Sequence, residues 1–137
     1  MPEITLNDPI GRLVGAPVAT ISPTATLREA ANALAADGVG LLVVVDARGV
    51  RGVISERDVV TAIAENVDLD DTRVREYASS DVIQVEEASS VLDAAAAMSD
   101  AQVRHLAVAR RGVVTGVVSI RDVVRVLVDE QRTTTAD

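Results

Sequence analysis

Gly52-Val53-Ile54-Ser55-Glu56-Arg57-Asp58 returns as Gly116-Val117-Val118-Ser119-Ile120-Arg121-Asp122, and the two copies lie 64 residues apart. The same offset aligns the chain upstream without a gap. Val18/Val82, Ala30/Ala94, Ala31/Ala95, Leu42/Leu106 and Val44/Val108 are identical at that spacing, as are Val59-Val60 and Val123-Val124 just after the motif. An ungapped self-match of this length is a tandem duplication, and a duplication constrains the fold more than any single motif.

Working outward from the motif, each copy ends a strand and enters a helix. Upstream, Leu41 to Val45 is an apolar run of strand length, Asp46 to Gly49 supplies turn chemistry, and Val50 to Ile54 returns as a second strand. The second hairpin uses Leu106 to Ala109 and Val113 to Val118, turning near Arg111-Gly112. Thr26-Leu27-Arg28-Glu29 is a capping box, followed by Leu27, Ala30, Ala31 and Leu34 on one helical face; Gly38 is its stop. Ser90 with Asp93 opens the equivalent helix, with Val91, Ala94, Ala95 and Met98 on its face.

A short strand at Val18 to Ile21 and a helical turn over Ile10 to Ala16, matched by Val74 to Ser80, complete the pattern. Met1 to Pro9 reads as a flexible lead-in, Asn66 to Arg73 as an acidic linker, and Thr133 to Asp137 as a polar tail after a helix ending near Gln131. Each repeat is therefore strand, helix, strand, strand, helix, over residues 10–65 and 74–131. The fold class is α+β: two tandem β-α-β-β-α repeats, which pack together with pseudo-two-fold symmetry because one copy alone cannot cover its sheet.

Composition narrows the function. Net charge is −8, and all 13 basic residues are Arg. That balance argues against non-specific nucleic-acid binding, and a single aromatic, Tyr77, leaves no base-stacking platform. No apolar stretch approaches the roughly 20 residues of a membrane span, and no signal pattern opens the chain, so a cytoplasmic, membrane-free protein is expected. Without cysteine there is neither a disulfide framework nor a thiolate metal site. One histidine, no metal cluster and Ser/Asp pairs without an adjacent base argue against an enzyme.

The repeated motif carries the remaining chemistry. A strand ending in Ser at a helix N-terminus offers backbone N–H groups to an anion such as a phosphate. An Asp three residues on is an acceptor suited to two ribose hydroxyls. Ser55-x-x-Asp58 and Ser119-x-x-Asp122 are equally capping-box patterns that need no ligand, and capping can coexist with binding. Arg57 and Arg121 are either solvated first-turn charges or anion contacts; on the dipole argument alone they sit at the wrong end of the helix. His105 reads as a half-buried structural residue or, beside Arg104, as a ligand contact. Arg110-Arg111 reads as solvated surface.

With these motifs the chain resembles the cystathionine-β-synthase (CBS) domain family, as a stand-alone tandem pair or Bateman module. Gly-apolar-apolar-Ser-x-x-Asp closes the last strand of each copy, Val103-Arg104-His105-Leu106 opens the second strand of copy two, and Gly38 to Asp46 is the matching segment of copy one. The resemblance implies a regulatory module that binds an adenosine-containing nucleotide (AMP, ADP or ATP) in the cleft between the repeats, with no resident cofactor. It also implies a homodimer acting on a separate, unidentified effector protein. By the family's symmetry one nucleotide site combines Ser55, Arg57 and Asp58 with Val82, Ile83, Arg104 and His105. The other combines Ser119, Arg121 and Asp122 with Val18, Ala19, Gly40 and Leu41. Only the first has a basic pair, so it is expected to be the tighter for phosphorylated ligands. The alternatives are a ligand-free dimerising scaffold and a sensor of S-adenosylmethionine or an NAD-type ligand.

Overall fold

The computed structural model describes residues 3–15 and 18–135. They form two compact units, residues 18–81 in one and residues 3–15 with 82–135 in the other. Each holds a three-stranded sheet with two helices, matching the strand, helix, strand, strand, helix reading.

In the first unit β1 (Thr20–Ile21) runs parallel to β2 (Leu41–Asp46), which pairs antiparallel with β3 (Gly49–Ser55). Helix α1 (Leu27–Asp37) connects β1 to β2, and α2 (Glu56–Ala64) follows β3. In the second unit β4 (Val82–Glu86), β5 (His105–Arg110) and β6 (Val113–Ser119) repeat the order, with α3 (Val91–Ala101) and α4 (Ile120–Thr135). Both hairpins carry a register shift at the same place, Val44/Val45 and Val108/Ala109. The second turns through Arg111 and Gly112, both at positive φ, the backbone that a two-residue primed turn requires.

The helices form where the sequence places their caps. Thr26 accepts from the Glu29 N–H while the Glu29 carboxylate accepts from the Thr26 N–H, and α1 stops at Gly38 in the left-handed conformation. At α3 only one half of that exchange is present: Ser90 accepts from the Asp93 N–H. Helix α4 continues past Gln131 to Thr135, since no Gly or Pro interrupts it; Ala136 and Asp137 lie outside the described residues, as does Ala16 from the expected first turn.

The two cores are packed from positions 64 apart. Leu27, Leu34, Leu42, Val44, Ile54 and Val59 in one unit correspond to Val91, Met98, Leu106, Val108, Val118 and Val123 in the other. Two members are exchanged. Val74, from the second repeat, is fully buried in the core with the first repeat's helices, and Ile10, from the first, is fully buried with those of the second.

Backbone bonds explain the exchange. The first turn of α1 has N–H groups without intrahelical acceptors, and Leu27 and Arg28 donate theirs to the carbonyls of Thr72 and Leu69. Val91 and Leu92 of α3 donate to Asp8 and Leu6. The stretches read as linker and lead-in are thus the segments that close the two helix N-termini. Arg28 reinforces the first closure through an ion pair with Asp70 at 2.5 Å, which raises the guanidinium pKa. The Tyr77 hydroxyl donates to Glu65, and that bond raises its own pKa.

Gly52 and Gly116 are required by the same exchange. Val53 and Ser79 trade two backbone hydrogen bonds (2.9 and 2.8 Å), and a Cβ on Gly52 would stand 2.4 Å from the Ser79 carbonyl oxygen. A Cβ on Gly116 would stand 2.2 Å from Val14 Cγ1. The motif glycine is therefore a close-approach position in both units.

Candidate functional site

Both motif copies are capping boxes in the folded chain. The Ser55 N–H and hydroxyl donate to Asp58 Oδ2 at 2.8 and 3.0 Å, and the Asp58 N–H donates to Ser55 Oγ at 3.2 Å. Ser119 and Asp122 repeat the arrangement at 3.2, 3.2 and 3.4 Å. The next donors are also used: the Glu56 N–H bonds the Gly40 carbonyl (3.0 Å) and the Ile120 N–H that of Arg104 (2.8 Å). Of the four N–H groups that a helix start leaves without an intrahelical acceptor, three are satisfied in each copy. The one remaining is the N–H of Arg57 in α2 and of Arg121 in α4. Each motif can thus offer a ligand one backbone donor, the Arg side chain and the second carboxylate oxygen, Oδ1.

Those two bonds to Gly40 and Arg104 also decide which strand lies beside which motif. Leu41 is the register partner of Ser55, and His105 that of Ser119. Val82 is the neighbour of His105 on its other side, and Ile83 that of Leu106. Within the second unit, Arg104, His105, Ser119, Ile120 and Arg121 line one cavity of about 400 Å³. It gathers two guanidinium groups, an imidazole and a hydroxyl around the start of α4. That set is suited to an anion of more than one charge, because ionised donors bond about twice as strongly as neutral ones. Asp122 lines a separate recess of about 310 Å³, beside Arg12, Arg125 and Asp129.

In the first unit the same position holds Gly40 and Leu41 beside Ser55, so Arg57 is the cation at that helix start. Val18 and Ala19 precede β1, where the Ala19 carbonyl accepts from the Val43 N–H at 3.0 Å. The sequence reading grouped Arg104 and His105 with Ser55, Arg57 and Asp58. Inside the second unit, strand pairing sets that basic pair beside Ser119 and Arg121. Ile120, which the sequence reading left out, lines the same cavity; its signal was its place between Ser119 and Arg121. No group of three or more His, Cys, Asp or Glu side chains that could hold a metal ion occurs among the described residues. None of their helices is long and apolar enough to cross a membrane.

Comparison with known proteins places this geometry. A family model described as CBS domain matches residues 10–65 and again 74–129. A 17.7 kDa protein of Acidianus ambivalens is 38% identical over 122 residues, covering 88% of this chain and 73% of its own length. The CBS domain-containing protein YhcV of Bacillus subtilis is 29% identical over 105 residues, 77% of this chain and 75% of that protein. Among solved structures, the CBS domain protein PAE2072 from Pyrobaculum aerophilum, complexed with AMP, superposes with a TM-score of 0.69 at 34% identity; the match covers 88% of this chain and 96% of that one.

Proposed function

The chain belongs to the CBS-domain family, and from that premise we propose that it is a regulatory module whose ligand is an adenine nucleotide: AMP, ADP or ATP. The observation that carries this reading is the cavity of Arg104, His105, Ser119 and Arg121 at the start of α4. The phosphate is taken there by the two guanidinium groups and the Arg121 N–H. The ribose hydroxyls donate to Asp122 Oδ1, since Oδ2 is held by Ser119. Ser55, Arg57 and Asp58 offer the same ribose grip in the first unit with fewer cations. The AMP complex of the Pyrobaculum relative supports adenosine as the ligand class.

The module is further read as a homodimer. On α2 and α4, Val60 (62% exposed), Ile63 (55%), Val124 (45%) and Leu127 (40%) leave an apolar stripe open while Val59 and Val123 are buried. Val60 and Ile63 are the 64-residue counterparts of Val124 and Leu127, so the stripe is duplicated with the fold. Light scattering at micromolar concentration should give twice the 14.3 kDa chain mass.

A second reading, a scaffold without a small ligand, is favoured by one observation: each Ser/Asp pair is already satisfied as a cap. Calorimetry with AMP, ADP, ATP and GTP separates the two. Saturable heat with the adenine nucleotides and much weaker binding of GTP is expected. Asp122→Ala should weaken the high-affinity phase by about tenfold, because a hydrogen bond to a charged group contributes about 1.5–3 kcal/mol. No heat with any nucleotide supports the scaffold. Loss of the high-affinity phase in Asp58→Ala but not in Asp122→Ala would move the tighter site to the first motif, as the family resemblance implies.

A further inference from the structure

The first unit has a larger cavity that the nucleotide reading does not use. It measures about 710 Å³ and lies at the hairpin end of the sheet, between the turn after β1, the tail of the β2–β3 hairpin and residues 75–80. That volume lies within the range of small-molecule sites. Its polar lining is Ser22, Thr24, Asp46, Arg51, Arg75, Ser79 and Ser80, and its apolar lining is Pro23 and Ala78 over the buried Val44.

Three features make this a prepared site for an anion. The Arg75 side chain has no ion pair or side-chain hydrogen bond among the described residues, and its backbone is fixed by the bond from its N–H to the Pro23 carbonyl at 3.0 Å. Asp46 holds Arg51 by Nε at 3.4 Å and accepts the Arg48 N–H at 2.8 Å. The Asp46 carboxylate at the cavity edge is thus occupied by the Arg51 Nε and the Arg48 N–H, and the terminal nitrogens of Arg51 are left over. The hydroxyl groups sit on pinned backbone: Ser79 is bonded twice to Val53, and Ser22 accepts from the Thr24 N–H at 3.2 Å.

The duplication supplies an internal control. The 64-residue counterparts of Ser22, Pro23, Asp46, Arg51 and Arg75 are Glu86, Glu87, Arg110, Thr115 and Gly11. There Arg110 pairs with Glu87 at 3.4 Å, and the position of Arg75 has no side chain. The fold forms in the second unit without any of the first unit's donors. Folding therefore does not require two arginines and four hydroxyl groups around one cavity, in a chain whose net charge is −8.

We propose that this cavity is a second binding site, specific to the first unit, for a small phosphorylated molecule. The phosphate is held by Arg51, Arg75 and the serine hydroxyl groups, and its organic part rests on Pro23 and Ala78. Phosphate fits better than a lone carboxylate because donors approach from three segments, and a tetrahedral dianion presents acceptors in as many directions.

The test uses amide chemical shifts of the full, ¹⁵N-labelled chain, titrated with glycerol 3-phosphate at constant ionic strength. Glycerol and citrate serve as the parallel probes. Saturable shifts are expected at Ser22, Thr24, Arg75, Ser79 and Ser80 with glycerol 3-phosphate, and none with glycerol. Arg75→Gln should weaken that response by about tenfold, and Arg51→Ala/Arg75→Gln should abolish it, with the remaining spectrum unchanged. Both side chains are exposed, so the fold does not depend on them. Shifts that never saturate, an equal response to citrate, or a response unchanged in the double variant would each overturn the assignment. The result is independent of the nucleotide reading, which is scored at Ser119 to Asp122.

Discussion

The two units are built on one frame yet differ in the charged residues at each end of the sheet. At the motif end the second unit sets Arg104 and His105 beside Ser119, where the first has Gly40 and Leu41 beside Ser55. At the hairpin end the first unit has Arg51 and Arg75 among hydroxyl groups, where the second has Glu86 and Glu87 with Arg110. The cores have diverged far less: apolar positions remained apolar, pair by pair. Packing tolerates only small volume changes, whereas surface charge can change sign without touching the fold. The two units therefore differ in their surface charge and not in their packing.

If the frames are equivalent, deleting the same core side chain should cost the same in either unit. Leu42 and Leu106 are both fully buried, and each occupies the middle strand. Leu42→Ala and Leu106→Ala should each destabilise by about 3–5 kcal/mol, read as matching shifts in urea midpoint. A gap of several kcal/mol between them would break the equivalence.

The motif glycines should separate the units by the kind of neighbour they touch. Gly52→Ala must displace the backbone carbonyl of Ser79 and should lose about 1–3 kcal/mol. Gly116→Ala meets only the side chain of Val14, so adding Val14→Ala should restore most of its loss. No truncation can rescue Gly52→Ala in that way. A Gly52→Ala variant as stable as the original chain would show that the Val53–Ser79 pairing contributes nothing.

The smallest expected contrast is at the caps. Thr26→Ala removes a reciprocal capping box and Ser90→Ala a single N-cap bond. Thr26→Ala should lose about 1 kcal/mol, and Ser90→Ala somewhat less, by thermal denaturation. Ser90→Ala costing more would place the stronger helix start in the second unit.

Part of the candidate site is legible in the residues, and the rest depends on strand register. Ser55/Asp58 and Ser119/Asp122 stand out because a motif repeated without gaps marks both ends of the same strand-to-helix joint. The neighbour of each motif was legible in principle, since the Arg111-Gly112 turn sets hairpin register. The shift at Val108/Ala109 intervenes before His105 meets Ser119, however, and a bulge leaves no dependable trace in an all-aliphatic strand. The cavity around Arg51 and Arg75 was not legible at all. Its residues come from three segments separated by up to about fifty positions, and none belongs to a motif.

By itself, then, the sequence determined everything that local chemistry controls. Cap residues fix where α1, α2 and α3 begin, apolar periodicity fixes which faces are buried, and turn residues fix two hairpins. Those choices are made within a few residues, so reading along the chain recovers them. What only the tertiary structure decided is which repeat each leading segment serves. Ile10 and Val74 occupy equivalent places, and either is apolar enough for either core. The choice falls to non-local hydrogen bonding. The open N–H groups of Leu27 and Arg28 find acceptors at Thr72 and Leu69, and those of Val91 and Leu92 at Asp8 and Leu6. A buried donor must be satisfied wherever the chain can reach it, and that demand has no period in the sequence.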